Sequence, residues 1–144
     1  GINAKTDTRS IVNVNSIIAT FGSNKTLVNN NESPLNNRTL FNRDNHICLY
    51  CGNKFSPINL SRDHVTPLFQ GGKDLWVNVV SACKRCNNAK AGRTPEQANM
   101  ELLAIPFTPT QAEYIFLQGK VILYDQMKFL KQHFPRKSPL RNRP

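Results

Sequence analysis

The chain has 144 residues, enough for one compact core and too few for two ordinary domains. Its 19 Lys and Arg against 9 Asp and Glu leave a formal charge of +10, which favours a polyanionic partner, nucleic acid first, because each phosphate contact releases condensed counterions; a solvated basic surface is the plainer alternative. No apolar run approaches the roughly 20 residues that cross a bilayer, and no basic-then-apolar leader opens the sequence, so a membrane role is not expected and the protein is predicted to be soluble, cytoplasmic and not secreted.

Residues 1–33 are rich in Asn, Ser and Thr, with an apolar stretch from Ile11 to Ile18 that partly alternates and reads as a strand or an arm. The opening on Gly1 rather than Met suggests a processed, tagged or trimmed chain and leaves open whether residues precede it. From Pro34 to Asn45, Leu35, Leu40 and Phe41 behind an Asn36 N-cap predict a short helix. Ile47 to Phe55 predicts a knuckle of two strands around a turn at Cys51-Gly52-Asn53, with Gly52 supplying the left-handed residue. Arg62 to Pro67 and the β-branched Val77 to Val80 predict a hairpin with a long loop through Gly71 and Gly72. A helix from Cys86, closed by Gly92, completes a strand, strand, helix unit, and Trp76 is expected to pack beneath the hairpin. Thr94-Pro95-Glu96-Gln97 has the capping-box pattern and predicts a helix over 95–103; Thr108-Pro109-Thr110-Gln111 repeats the device for 109–117. Leu123, Met127, Leu130 and Phe134 recur at helical spacing and mark a last helix with a core-facing stripe. The tail from Lys131 to Pro144, with Arg136, Lys137, Arg141 and Arg143 among prolines, is expected to be extended and mobile, suited to phosphate contacts.

The four cysteines form two Cys-x-x-Cys pairs, Cys48 with Cys51 and Cys83 with Cys86, each followed by Gly or Asn. That is a metal pattern before it is a redox or disulfide pattern. Four thiolates complete a tetrahedral Zn²⁺ shell and leave no open position for water, so Cys48, Cys51, Cys83 and Cys86 are predicted to hold one structural zinc, with His46 and His64 outside it. Such a staple replaces core that a small domain cannot bury.

Hydrolysis of a phosphodiester needs an activated water and a cation that neutralises charge in the transition state. Between the cysteine pairs, His64 is placed to take a proton from water. Asp63 precedes it on the same predicted strand, faces the opposite way, and could bind a hard cation such as Mg²⁺. Asp-His alone is a weak signal, since a histidine on a strand is more often structural.

The order Asp63-His64-Val65-Thr66-Pro67, Gly71-Gly72, Trp76-Val77-Asn78-Val79-Val80 and Cys83-Lys84-Arg85-Cys86-Asn87-Asn88-Ala89-Lys90 resembles the HNH endonuclease family in its cysteine-bearing branch, over about Pro34 to Met100. The resemblance implies an α+β chain with a ββα-metal (His-Me finger) core, flanked by additional helices. It divides the sequence into an amino-terminal arm or strand segment (1–33), an HNH core with zinc knuckles (34–100), carboxy-terminal helices (101–134) and a basic tail (135–144). It implies His64 as general base, Asp63 and Asn87 as ligands of one catalytic cation, and Asn78 as a brace of the loop that orients His64. Asn87 stands where many members carry a second histidine; its neutral, hard amide oxygen suits Mg²⁺ or Mn²⁺. Lys90, one helical turn after Asn87, is expected to touch the substrate phosphate, with Arg93 and Arg62 as further contacts. The substrate implied is DNA approached from the minor groove, with little base readout, leaving a 5′-phosphate and a 3′-hydroxyl. A non-catalytic zinc module that binds nucleic acid, or a degenerate HNH subunit of a larger nuclease system, explains the charge and the cysteines equally well. Double-strand cleavage by a single centre would call for a homodimer or a larger assembly.

Overall fold

The computed structural model describes Ile11, residues 33–119 and residues 122–143. Apart from Ile11, the expected arm or strand at 11–18 lies outside these described residues. Among them, no helix is long and apolar enough to cross a membrane.

At the centre is an antiparallel hairpin of β1 (Leu60–His64) and β2 (Val79–Cys83), with Leu60 opposite Cys83 and His64 opposite Val79. Side chains alternate along a strand. Leu60, Arg62 and His64 therefore share one face with Val79 and Ser81, and Ser61 and Asp63 share the other with Val80 and Ala82. Helix α1 (Asn37–Arg43) supplies Leu40 and Phe41 to a core with Leu60, Trp76, Val79 and Tyr114. Across the sheet, helix α2 (Lys84–Lys90) and the knuckle bury Val80 and Ala82 with Leu49, Tyr50 and the cysteines. Covered on both faces, β2 is buried at every residue, which is why Val79-Val80 reads as a continuous apolar run. Trp76 is 1% exposed beneath the hairpin, as expected, and its indole N–H donates to the Ser33 carbonyl.

Helix α1 starts where the sequence says, with the Asn36 side chain accepting from the Thr39 amide at 3.0 Å. It ends on Arg43, whose buried guanidinium pairs with Asp44 and donates to the carbonyls of Trp76 (2.8 Å), Val79 (2.7 Å) and Phe107 (3.1 Å). Asp44 in turn accepts from the Ser81 amide at 2.7 Å. This buried pair is satisfied on both sides and ties α1 to β2 and to the segment that leads to the last helices.

Several expected boundaries move. The knuckle strands reduce to one bridge between Ile47 and Lys54, because the Cys48 amide turns to Asn53 and the Leu49 amide to Ser81. Strand β1 begins two residues early and stops at His64, since the Thr66 amide is taken by the Asn78 side chain and Pro67 has no N–H. Residues 76–78 form a 3₁₀ turn, so β2 starts at Val79 and runs directly into α2. Helix α2 begins at Lys84, not Cys86, because Cys83 is its N-cap, and left-handed Ala91 ends it ahead of Gly92.

The helix expected over 95–103 is not formed. Its capping box is present, Gln97 bonding to Thr94 in both directions, but Asn99 turns left-handed after one turn and the Leu103 amide is drawn to the Leu49 carbonyl. The next helix, α3 (Gln111–Leu117), is capped by Thr110 with Glu113 rather than by Thr108. In the last helix, α4 (Tyr124–Gln132), the expected stripe is partial: Phe134 is buried and Leu130 packs against it, while Leu123 is the exposed N-cap. The tail is not extended. Leu140 is fully buried against Leu117 and Phe134, and the Arg143 guanidinium donates to the carbonyls of Asn42 and Arg43 at 2.7 Å each. Arg136, Lys137 and Arg141 remain exposed.

Candidate active site and metal centre

The four cysteines are free thiols whose sulfurs all lie within 4.8 Å of one another, contributed by the knuckle and by the junction of β2 with α2. Sulfurs about 2.3 Å from one tetrahedral ion would stand somewhat closer still, so a small contraction accommodates a metal such as zinc. Local backbone geometry prepares the group. The Cys48 carbonyl accepts from the Gly52 amide in a tight turn that puts Gly52 at φ 74°, and the Cys83 sulfur accepts from the Cys86 amide at 3.4 Å. Burial works to raise the Cys48 thiol, but backbone amides of Cys83, Cys51 and Tyr50 outweigh it and bring the group down to about 7. Burial, the hydrogen bond with Cys83 and the Cys48 charge push Cys86 the other way. A divalent cation relieves that opposition by stabilising all four thiolates together.

At the carboxyl end of β1, Asp63 and His64 leave in opposite directions. His64 is partly exposed, and its Nε2 lies 2.9 Å from Asp74 Oδ1 in the hairpin loop. Arg62, on the same face of the strand, donates Nη1 to both Asp74 oxygens at 2.9 and 2.7 Å and Nε to Asn37. The Arg62 hydrogen bonds hold the Asp74 carboxyl below its ordinary value; partial burial opposes them and His64 adds to them.

On the other face, Asp63 is 7% exposed and both of its oxygens are engaged. Oδ1 accepts from Lys90 Nζ at 3.1 Å and Oδ2 from the Tyr50 hydroxyl at 2.5 Å. Burial, then the Asp63 hydrogen bond, raise the Tyr50 hydroxyl, which stays protonated as a donor. Lys90 is 1% exposed and also donates to the His64 carbonyl at 2.7 Å, so the helix reaches both residues of the Asp-His pair. Asn87, one turn earlier, donates its amide to Ser61 Oγ at 2.9 Å. Asp63 and Ser61, which Asn87 reaches, share one face of the hairpin, so the carboxylate and the amide lie on the same side of it, with both Asp63 oxygens engaged by Lys90 and Tyr50.

Asn78 closes the loop that carries this site. Its side chain accepts from the Thr66 amide and donates to the carbonyls of Thr66 and Lys73, each at 2.9 Å. Gly72 is needed beside it, since a Cβ there would come within 1.9 Å of the Thr66 carbonyl oxygen. Asn78→Ala removes three hydrogen bonds from a half-buried turn and is expected to lower stability by about 1–3 kcal/mol in urea denaturation, with zinc content unchanged.

The predicted substrate cations are placed differently from expectation. Lys90 is sealed inside the fold against Asp63, so it is not a surface contact for phosphate. Arg62 is held by Asp74, and Arg93 donates to the carbonyls of Ala89 and Lys90, closing the end of α2. Sequence reasoning missed Asp74, Tyr50 and Ser61. Asp74 reads as a loop acid and Tyr50 as filler between two cysteines; only the folded chain brings Asp74 to Arg62 and His64 and Tyr50 to Asp63.

A search of curated proteins found no match to this chain. Residues 48–103 do match the family model of the HNH endonucleases, a span that starts at the first cysteine and ends where Leu103 ties back to the knuckle. It takes in both cysteine pairs, the hairpin and α2 but not α1, so it is narrower than the stretch on which the resemblance was drawn. Over residues 48–103 this chain is similar to the HNH endonucleases.

Proposed function

We propose that this chain is a DNA endonuclease that hydrolyses phosphodiester bonds with His64 as general base. The observation that carries the reading is the placement of a partly exposed imidazole at the end of β1, held through Nε2 by a carboxylate, inside the segment that matches the HNH family. A histidine in that setting can accept a proton from water at neutral pH. Asp63 and Asn87 are the proposed holders of one Mg²⁺ or Mn²⁺, which when bound supplies charge neutralisation to the scissile phosphate and the departing oxygen. Because Asp63 and His64 point to opposite faces at the strand end, a backbone phosphate lying across that end is the substrate placement consistent with both.

Asn78 supports the chemistry indirectly, through the loop it closes. The cysteine centre is proposed to hold one structural Zn²⁺ and to take no part in proton transfer, as four thiolates leave no site for water. The charge of +10 supports DNA as the substrate, and the exposed Arg136, Lys137 and Arg141 are the proposed phosphate contacts in place of the buried Lys90.

The test is conversion of supercoiled plasmid to nicked or linear forms with Mg²⁺, Mn²⁺ or EDTA, run beside His64→Ala. The expected result is metal-dependent cleavage that falls about 100-fold or more in the variant, the span general base catalysis supplies, with DNA binding retained. Absence of cleavage by the wild type in any metal, with zinc present and DNA bound, would point instead to the non-catalytic module.

A further inference from the structure

We propose that Asp74 is a positioning residue of the nuclease site, fixing His64 in the tautomer that carries its proton on Nε2 and so presents the Nδ1 lone pair to water. The inference rests on the reading of His64 as general base and extends it to the orientation of the ring. An ionised carboxylate can only accept hydrogen bonds. At 2.9 Å from Asp74 Oδ1, Nε2 must therefore be the donor, and a neutral ring with Nε2–H has its lone pair on Nδ1. Among the described residues no hydrogen bond reaches Nδ1 of His64, and the side chain is 23% exposed, so this nitrogen is open to solvent.

Asp74 is itself held. Arg62 grips both of its oxygens, and Arg62 is anchored to Asn37 on α1, so the loop acid is tied to a helix on the covered face of the hairpin. When water gives its proton to Nδ1, the Nε2–H bond to Asp74 is retained and the imidazolium forms beside a carboxylate of opposite charge; the hydroxide bonds to phosphorus as the P–O3′ bond breaks, and the departing 3′-oxygen takes a proton from solvent. None of the residues named as metal ligands takes part in this arrangement, because Asp63 faces the other way. The residue was not among those the sequence nominated.

Two measurements on the zinc-loaded full chain test the proposal. Long-range ¹⁵N–¹H spectra of the wild type, recorded at alkaline pH where the ring is neutral and assigned by loss of the signal in His64→Ala, are expected to show the Nε2–H tautomer. A dominant Nδ1–H tautomer overturns the proposal without recourse to any Asp74 variant. Second, Asp74→Asn is expected to reduce the single-turnover cleavage rate at saturating DNA about 10- to 100-fold, less than the loss a fully buried triad carboxylate produces because Asp74 is half exposed, while the Kd for DNA stays the same or tightens with the lost negative charge. An unchanged rate in Asp74→Asn, with His64→Ala inactive, overturns the positioning role alone. Equal cleavage by wild type and His64→Ala overturns the nuclease reading on which it stands.

Discussion

Denied a metal at the four-cysteine cluster, residues 48–103 are expected to unfold. Among the described residues, two of the three hydrophobic clusters meet on the hairpin, and one of them is built around Cys48, Cys83 and Cys86 themselves. Cys83 is at once the last residue of β2 and the N-cap of α2, so losing its position frees the strand end and the helix start together. Binding of structural zinc contributes roughly 10–16 kcal/mol in small domains, which matches or exceeds the whole stability of about 5–15 kcal/mol that a domain this size possesses. Melting followed by circular dichroism should therefore show a cooperative transition with zinc that disappears with a strong chelator, and Cys86→Ser should behave like the chelated wild type. A chelated protein that melts at the same temperature would mean that the hydrophobic contacts suffice and the thiols are free of structural duty.

Asp63→Ala is expected to cost about 3–5 kcal/mol of stability before any question of catalysis arises, because it strands the Lys90 ammonium in the interior. Lys90→Ala should cost a similar amount by stranding the carboxylate, with the Tyr50 hydroxyl as its one remaining partner in the pair of bonds it now makes. Since the loss comes from an uncompensated charge, replacing both at once with apolar groups, as in Asp63→Leu with Lys90→Met, should recover much of it, and the coupling energy is read by urea denaturation in zinc of the wild type, Asp63→Leu, Lys90→Met and the double variant. Additive losses would show that the two charges do not depend on each other. The result also governs how activity is interpreted: a dead Asp63→Ala variant speaks of metal binding only if its fold has been shown to survive. Lys90→Met, which strands the Asp63 carboxylate in the same way, needs the same proof of fold before it is used to ask what that carboxylate binds.

Much of the core was legible because its signals are short-range and redundant. The cysteine pairs, the Asn36 cap and the β-branched run at Val79-Val80 each follow from local chemistry, and the structure places them as that chemistry requires. The fate of 95–103 was not legible, although its capping box did form. One turn is all that a cap can nucleate, and the Leu103 amide finds its partner on Leu49, in the knuckle and far away in sequence. The basic tail misled for the opposite reason. Its composition is that of a solvated segment, yet Leu140 is buried against Leu117 and Phe134, and Arg143 donates to the carbonyls of Asn42 and Arg43 at the end of α1. Within the site, strand alternation correctly separated Asp63 from His64, but which loop residue would meet the imidazole depended on the path of residues 66–78 and could not be read from spacing.

That alternation makes the site sensitive to phase. A slip of one residue in the β1–β2 pairing would turn Asp63 outward to the loop and His64 inward to Tyr50 and Lys90, exchanging an acid for a base at both stations while leaving the backbone ladder intact. The hairpin is pinned against this at both of its ends: by the cysteine centre where Cys83 meets Leu60, and by the Asn78 clamp just beyond His64 and Val79. The cysteine cluster and the clamp thus act as two phase references for one strand, and between them they determine which side chain of an adjacent pair looks at water and which at the protein interior.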